Sequence, residues 1–126
     1  MPSNLKRALI IEDNPVDRIL MAKILIGLGY SNVEAQDGRQ GFDSLTKQGP
    51  FTIIMLDWNM PIFDGLEFLK SVSPLMGNNK PKIIMVTGET DLTKIRSALS
   101  AGADEYLMKP YSRESVQLKL KMLGLE

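Results

Sequence analysis

The sequence is 126 residues long, the size of one ordinary domain, and its 44% of hydrophobic residues is sufficient for a single core. Its 15 basic and 15 acidic residues cancel, so it lacks the overall positive field that would attract nucleic acid or an anionic membrane surface. The absence of cysteine and histidine excludes disulfides, thiol catalysis and thiolate or imidazole metal sites, so any catalysis must use carboxylates, hydroxyls, lysine or a hard metal ion.

The chain carries no recognisable targeting or membrane segment. The apolar run near the N-terminus is too short for a secretory signal, and no stretch approaches the roughly 18 apolar residues that suggest a membrane-spanning helix. No internal repeat, low-complexity tract or linker is visible. We therefore expect one cytoplasmic domain over residues 1–126, with no output domain in these residues.

The first strand and the first helix are predicted close to the N-terminus. The apolar run Ala8 to Ile11 suits a buried strand, and a helix should follow because Asn14 can cap it and Pro15 suits the first helical position. Gly27 and Gly29 should end this helix. Its expected apolar face consists of Val16, Ile19, Leu20 and Ile24.

The second and third strands are also predicted from short apolar runs. A strand around residues 33–35 leads to a helix with Phe42 and Leu45 facing inward. The third strand covers Phe51 to Leu56, six residues that suit the interior, and Asp57 follows it directly.

The third helix and the fourth strand come next in the chain. Asp64 and Glu67 have the spacing of a capping box. The inward residues of the helix are predicted to be Leu66, Leu69 and Val72. The fourth strand is "KIIMVT", Lys82 to Thr87.

The last two helices flank the fifth strand, "EYLM". Asp91 is expected to cap the fourth helix, and Ser112 should start the fifth. The buried residues of these two helices are predicted to be Ile95, Ala98, Leu99, Val116, Leu120 and Leu123. Strands and helices thus alternate through the chain, which is typical of an α/β fold with a parallel sheet covered on both faces.

Polar residues follow or end four of the predicted strands: Glu12 and Asp13, Asp57, Thr87 and Lys109. Each has an ordinary explanation when taken singly, as a helix cap, a strand residue or a solvated lysine. In a parallel sheet, however, these positions share the carboxyl edge, where ligands bind. Carboxylates gathered there repel one another and need a cation.

The cation that suits oxygen ligands without sulfur or imidazole is magnesium, which usually binds one or two carboxylates together with phosphate oxygens. An aspartate can be the nucleophile in such a site and form an aspartyl phosphate. The predicted nucleophile is Asp57. Lys109 would pair with one phosphoryl oxygen, and the hydroxyl of Thr87 would donate a hydrogen bond to another.

Four motifs, in order, give the sequence a family resemblance: "EDNP", "DWNMPIFDGLEFLK", "IIMVTGE" and "AGADEYLMKPY". With them the chain resembles the receiver domains of bacterial two-component response regulators over nearly its whole length, and among these it is most similar to the single-domain chemotaxis regulators. The resemblance implies a flavodoxin-like, doubly wound (βα)5 fold with a five-stranded parallel sheet in the order 2-1-3-4-5.

The resemblance also implies roles for individual residues. Asp57 is then the phosphoacceptor, Glu12 and Asp13 are the acidic pair that binds magnesium with Asp57, and Asn59 is a magnesium ligand through its backbone carbonyl. Thr87 and Lys109 contact the phosphoryl group.

Further residues match positions at which receiver domains switch or differ. Tyr106 matches the aromatic residue that changes rotamer on activation, although ordinary strand packing also explains it. The peptide bond between Lys109 and Pro110 matches one that is typically cis. Asn59 and Glu89 match the positions that tune hydrolysis of the phosphate.

Partners and output follow from the resemblance as well. The phosphodonor is expected to be a sensor histidine kinase or a histidine phosphotransfer protein. The downstream target is expected to bind the surface of helix 4, strand 5 and helix 5 of a monomer, without nucleic acid or membrane. The chain would catalyse only its own phosphorylation and dephosphorylation, and flagellar motor control, a phosphorelay intermediate and other targets stay open.

Three alternatives fit the sequence less well. A phosphatase of the haloacid-dehalogenase type would use a second aspartate two residues after the nucleophile, where this chain has Asn59. A flavodoxin-like electron carrier would hold a flavin phosphate in the loop after the first strand, where "EDNP" would repel it. A receiver-like binding module without phosphorylation would not need the complete set of site residues.

Overall fold

The structure is a computed structural model, and it describes residues 6–58, 60, 65–75, 80–88 and 92–125. Strands and helices alternate along this part of the chain, as the sequence predicts. The strands are β1 (Arg7–Ile11), β2 (Ser31–Ala35), β3 (Ile53–Asp57), β4 (Lys82–Thr87) and β5 (Glu105–Met108). The helices are α1 (Pro15–Gly27), α2 (Gly38–Gln48), α3 (Gly65–Val72), α4 (Leu92–Ala101) and α5 (Arg113–Met122), with a short 3-10 turn (Ser73–Leu75) after α3.

The strands form one parallel sheet in the order β2-β1-β3-β4-β5, which confirms the predicted flavodoxin-like topology. The central strand is β3, where Leu56 pairs with Ile11 of β1 and Asp57 pairs with Val86 of β4. The carboxyl ends of these three strands therefore lie side by side.

Both faces of the sheet are covered by helices, which explains why the three inner strands, β1, β3 and β4, are mostly apolar and buried. On one face, Ile53 and Met55 pack in a cluster with residues of α1 and α5. On the other face, Ile54 and Leu56 pack in a cluster with residues of α2, α3 and α4. Alternate residues of β3 thus anchor opposite layers, and the strand that ends in Asp57 is fixed from both sides.

Two of the predicted helix starts are confirmed by their caps. The side chain of Asn14 accepts hydrogen bonds from the backbone N–H groups of Val16 (2.9 Å) and Asp17 (3.1 Å), and a proline occupies the start of α1. Ser112 and Ser115 form a capping box at the start of α5. Asp64 and Asp91, which were predicted to cap the third and fourth helices, lie outside the described residues.

The predicted apolar face of α1 was wrong. Val16, Ile19 and Leu20 are 72%, 51% and 44% exposed, and Ile24 is half-buried. The residues of α1 that are buried against the sheet are Met21, Ala22 and Leu25. At 100° per residue these lie opposite the predicted face, so α1 is apolar on both sides and periodicity could not decide which side is buried.

The other helices follow the predicted faces closely. Leu69, Val72, Ile95, Ala98, Val116 and Leu120 are buried, whereas Phe42, Leu45, Leu66 and Leu123 are half-buried. Leu99 was predicted to be buried but is 39% exposed, because α4 contacts the core through Ile95 and Ala98. Within the part of the chain that the structure describes, no helix combines the length and apolarity needed to cross a membrane.

Candidate functional site

The five residues predicted for the strand ends meet at the carboxyl edge of the sheet. Glu12 and Asp13 follow β1, Asp57 ends β3, Thr87 ends β4, and Lys109 follows β5. A hydrogen bond from the backbone N–H of Lys109 to the carbonyl oxygen of Thr87 (2.8 Å) joins the residue after β5 to the end of β4. Parallel strands pointing the same way thus bring together residues that lie up to 97 positions apart, the separation of Glu12 and Lys109 (109 − 12).

Three carboxyl groups form a compact cluster at this edge. Glu12, Asp13 and Asp57 each place an oxygen within 4.8 Å of the others. Glu12 and Asp57 are each 4% exposed, whereas Asp13 is exposed and opens the cluster to solvent. An all-oxygen, anionic set of this kind fits magnesium, which prefers carboxylates and keeps several waters.

The ammonium group of Lys109 lies among three carboxylates. Its Nζ is 3.2 Å from Glu12 Oε1, 3.2 Å from Asp17 Oδ2 and 3.7 Å from Asp57 Oδ1. The peptide bond between Lys109 and Pro110 is cis in the structure. One positive charge is therefore shared by carboxylates from three different segments.

Backbone contacts hold Glu12 in place. Its Oε2 accepts a hydrogen bond from the backbone N–H of Asn14 (3.1 Å), and its carbonyl oxygen accepts one from Arg18 Nη1 (2.8 Å). Arg18 also pairs with Glu34 on the edge strand β2, with Nε 3.4 Å from Oε1. The loop after β1 is thereby tied both to α1 and to the sheet.

The pKa of Glu12 is raised to about 7, chiefly by burial and next by a hydrogen bond with Asp57. The backbone N–H of Asn14 and the charge of Lys109 act in the opposite direction, and the charge of Asp57 also raises the pKa. In the metal-free protein, burial and the neighbouring Asp57 thus outweigh the attraction of Lys109, and the pKa of Glu12 lies near neutral pH.

The pKa values of two neighbouring groups are also raised. For Lys109, burial disfavours the charge, but attraction to Asp57 and Glu12 outweighs it and raises the pKa above its ordinary value. Burial, together with the charge of Asp17, raises the pKa of Tyr111 to about 12. Lys109 therefore stays charged. The Tyr111 hydroxyl keeps its proton and donates a hydrogen bond to the carbonyl oxygen of Asp17 (3.3 Å).

Asp17 and Arg18 belong to the site, although the sequence assigned no role to either. Asp17 lies four residues after Asp13, and this spacing at a helix start is the one signal that could have placed it near the cluster. Arg18 gives no such signal, because its contact is with a backbone carbonyl. The sequence shows how side chains are spaced along α1, but not which of them turns toward β5.

The structure also describes the two residues predicted to act in switching. Thr87 is fully buried at the end of β4. Tyr106 lies on β5 opposite Met85, is half-buried, and has Nζ of Lys119 at 4.2 Å from its ring centroid. Asn59 and Glu89 lie outside the described residues.

Residues 8–121 match the family model of the response regulator receiver domain. The chain belongs to the response regulator receiver domain family. This receiver domain has the sheet order and the acidic cluster that its motifs predicted. Membership of this family removes the support for the phosphatase and the flavodoxin-like electron carrier as alternatives.

Relatives and solved structures point to the CheY-like group within the family. A chemotaxis protein CheY homolog of Campylobacter jejuni is 34% identical over 116 residues, covering 91% of this receiver domain and 89% of that protein. The chemotaxis protein CheY4 of Vibrio cholerae has a TM-score of 0.86 at 29% identity and covers 94% of this chain and 98% of its own. The receiver domain of a sensor histidine kinase from Pseudomonas aeruginosa, solved with a magnesium ion coordinated in the active site cleft, has a TM-score of 0.82 at 28% identity, covering 94% and 96%.

The pKa of Glu12 predicts how stability depends on pH in the metal-free receiver domain. The folded value of about 7 exceeds the ordinary value of 4.5, so the stability contributed by protonated Glu12 is fully present below pH 4.5 and is lost as pH rises through 7. The side chain of Glu12→Gln does not ionise and should avoid this loss. The free energy of unfolding of the variant, relative to that of wild type, should therefore increase by roughly 1–3 kcal/mol when the pH is raised from 5 to 8. Urea unfolding in a chelating buffer at both pH values measures the difference.

The matched control is Asp43→Asn, which neutralises an exposed acid on α2, on the opposite face of the sheet from α1 and α5. Its pH dependence should equal that of wild type. Parallel stability curves for Glu12→Gln and wild type would contradict a raised pKa at Glu12.

Proposed function

We propose that the chain is a phosphoryl-accepting switch of two-component signalling, with Asp57 as phosphoacceptor and a histidine kinase or histidine phosphotransfer protein as donor. The observation that carries this proposal is the position of Asp57 at the end of the central strand, with Oδ1 3.7 Å from Nζ of Lys109 and beside Glu12 and Asp13. Membership of the receiver family supports it.

Asp57 is suited to act as the nucleophile because a strand packed on both faces fixes its backbone. A carboxylate oxygen of Asp57 forms a bond to phosphorus while the bond from phosphorus to the donor's imidazole nitrogen breaks, and the departing imidazole takes a proton from water. Lys109, which its raised pKa keeps charged, pairs with one phosphoryl oxygen. Thr87 donates a hydrogen bond from its hydroxyl to another.

The acidic cluster is the proposed magnesium site. Glu12, Asp13 and Asp57 would hold the ion together with the backbone carbonyl of Asn59, a role for Asn59 that rests on the family resemblance. The ion, when bound, neutralises negative charge on the phosphoryl oxygens. The magnesium in the active site cleft of the Pseudomonas receiver domain supports this assignment.

The activity of the chain is proposed to be limited to its own phosphorylation and dephosphorylation. CheY-like response regulators are mainly switch proteins. Asn59 and Glu89, two residues beyond Asp57 and Thr87, are proposed to tune hydrolysis of the phosphoryl group. The roles of Asn59 and Glu89 rest on the family resemblance.

Output is proposed to pass from Thr87 through Tyr106 to the surface of α4, β5 and α5. Thr87 ends β4, and Tyr106 lies on the neighbouring strand β5. On phosphorylation, Thr87 would move toward the phosphoryl group while Tyr106 turns inward. Large apolar side chains are exposed on this surface, with Leu92 65% and Leu118 56% accessible. Such residues suit the docking of a target protein.

The proposed setting is a cytoplasmic monomer that acts through a protein target rather than through nucleic acid or a membrane. The curated CheY homologs favour chemotaxis and control of the flagellar motor. A phosphorelay intermediate is the second candidate, favoured by the similarity to a receiver domain that is part of a sensor histidine kinase.

Donor docking is proposed to use the exposed apolar side of α1. Val16, Ile19 and Leu20 lie in the first two turns of this helix, directly after the acidic loop, and each is more than 40% exposed. The next residue after Val16, Asp17, contacts Lys109, so this surface borders the site. A partner that delivers a phosphoryl group to Asp57 would therefore cover these apolar side chains.

The first test of this function is covalent labelling of the purified chain. Acetyl phosphate with magnesium should add one phosphoryl group that is labile to base and to hydroxylamine, because it is an acyl phosphate on Asp57. Asp57→Asn should abolish the labelling, and a chelator should prevent it in wild type. Intact-mass spectrometry measures the addition. A phosphate stable to hydroxylamine would indicate a hydroxyl ester and rule out Asp57.

Ile19→Asp tests donor docking separately from chemistry. Transfer from a phosphorylated kinase or phosphotransfer protein that labels wild type should slow by about fivefold or more, since an interface anchor is worth more than about 1 kcal/mol. Labelling by acetyl phosphate should keep its wild-type rate. Radiolabel transfer measures both.

The control is Met122→Asp, a 59% exposed apolar residue at the C-terminal end of α5, the helix that packs against the edge strand β5. It should leave both rates unchanged. Equal transfer rates in Ile19→Asp and wild type would exclude this side of α1 as the docking surface.

Thr87→Ala tests the route of output without requiring a known target. Binding of beryllofluoride, a phosphoryl mimic, with magnesium should shift the amide NMR signals of α4, β5 and α5 in wild type. In Thr87→Ala the shifts around Asp57 should persist while those of α4, β5 and α5 shrink, because a ligand biases a switch only through contacts that differ between its states. Full wild-type shifts in the variant would disprove coupling through Thr87.

A further inference from the structure

The contacts of Lys109 are unequal in the unphosphorylated protein. Its ammonium forms hydrogen bonds with Glu12 and Asp17, both at 3.2 Å, whereas Asp57 Oδ1 is 3.7 Å away, beyond hydrogen-bonding distance. Lys109 therefore rests closer to the first turn of α1 than to the proposed phosphoacceptor. Before it can pair closely with a phosphoryl group on Asp57, it must share or leave these partners.

The structure fixes Asp17 where it can compete for Lys109. Its backbone N–H donates to the cap residue Asn14 (3.1 Å), and its carbonyl oxygen accepts from the Tyr111 hydroxyl (3.3 Å). Its carboxylate is 35% exposed and is not one of the three clustered carboxylates at the candidate metal site. Asp17 thus adds a negative charge beside the phosphoryl position without being a proposed metal ligand.

We propose that Asp17 restrains Lys109 in the unphosphorylated state and thereby lowers the affinity of the site for a phosphoryl group. This inference rests on the proposed roles of Asp57 and Lys109. Asp17 acts through Lys109 and is a positioning residue rather than a catalytic one. It therefore biases the switch toward its resting state, because the phosphoryl-bound state must give up or weaken a contact that the resting state makes.

Two electrostatic effects act in the same direction. A hydrogen-bonded carboxylate at 3.2 Å attracts the ammonium away from Asp57. The same carboxylate also repels the negatively charged oxygens of a phosphoryl group directly. Neutralising Asp17 relieves both effects, so the expected change is tighter binding. Structural damage to the site would produce the opposite change.

The test is the affinity for beryllofluoride at saturating magnesium, measured through the fluorescence of Trp58, the neighbour of Asp57, or by calorimetry. Asp17→Asn should bind about fivefold more tightly than wild type, which corresponds to about 1 kcal/mol for a partly exposed ion pair. Asp17→Glu keeps the charge and should bind as wild type does. Asp43→Asn makes the same charge change on an exposed position of α2 and should have no effect.

The outcomes separate this inference from the proposed function. Unchanged or weaker binding by Asp17→Asn, with normal binding by wild type, overturns the restraint and leaves the phosphoacceptor assignment intact. Tighter binding by both Asp17→Asn and Asp43→Asn would indicate a general charge effect and also overturns it. If wild type does not bind beryllofluoride with magnesium, the proposed function and the restraint both fail.

Discussion

The structure depends on one electrostatic constraint, the gathering of acidic side chains around a single ammonium group at the edge of a buried sheet. Glu12 and Asp57 are almost fully buried, and Lys109 lies within 4 Å of both and of Asp17. Burial and the neighbouring Asp57 raise the pKa of Glu12 to about 7, and the attraction of the single ammonium does not offset this rise. The site is therefore sensitive to any added charge, and this is the property that a phosphorylation switch requires.

The sheet makes this arrangement possible. Acids at such short separations would move apart in a flexible loop, but Asp57 ends a strand whose side chains anchor two separate core clusters. Glu12 is held in addition by the backbone N–H of Asn14 and by Arg18. The stability of the hydrophobic layers thus holds the charged groups in a geometry that their own repulsion opposes.

Helix α1 links the core, the charged site and the surface. Met21 and Leu25 pack in the core, Asp17 faces Lys109, and Ile19 and Leu20 are exposed to solvent. A partner bound to the exposed side would therefore contact the same helix that holds Lys109 in its resting position. The hydroxyl of Tyr111 strengthens this connection between the segments after β1 and after β5.

The sequence by itself determined the order of strands and helices, most of the core and the five residues at the carboxyl edge, since these follow from apolar periodicity and from the geometry of parallel strands. It could not determine which side of α1 is buried, because that helix is apolar on both sides and the choice depends on how it packs against the sheet. It also could not identify Asp17 as a partner of Lys109, because the two residues lie 92 positions apart and meet only when β1 and β5 are placed in one sheet. The unequal distances from Lys109 to its three carboxylates, and the raised pKa of Glu12, were likewise decided by the tertiary structure, since burial and charge separation exist only in the folded chain.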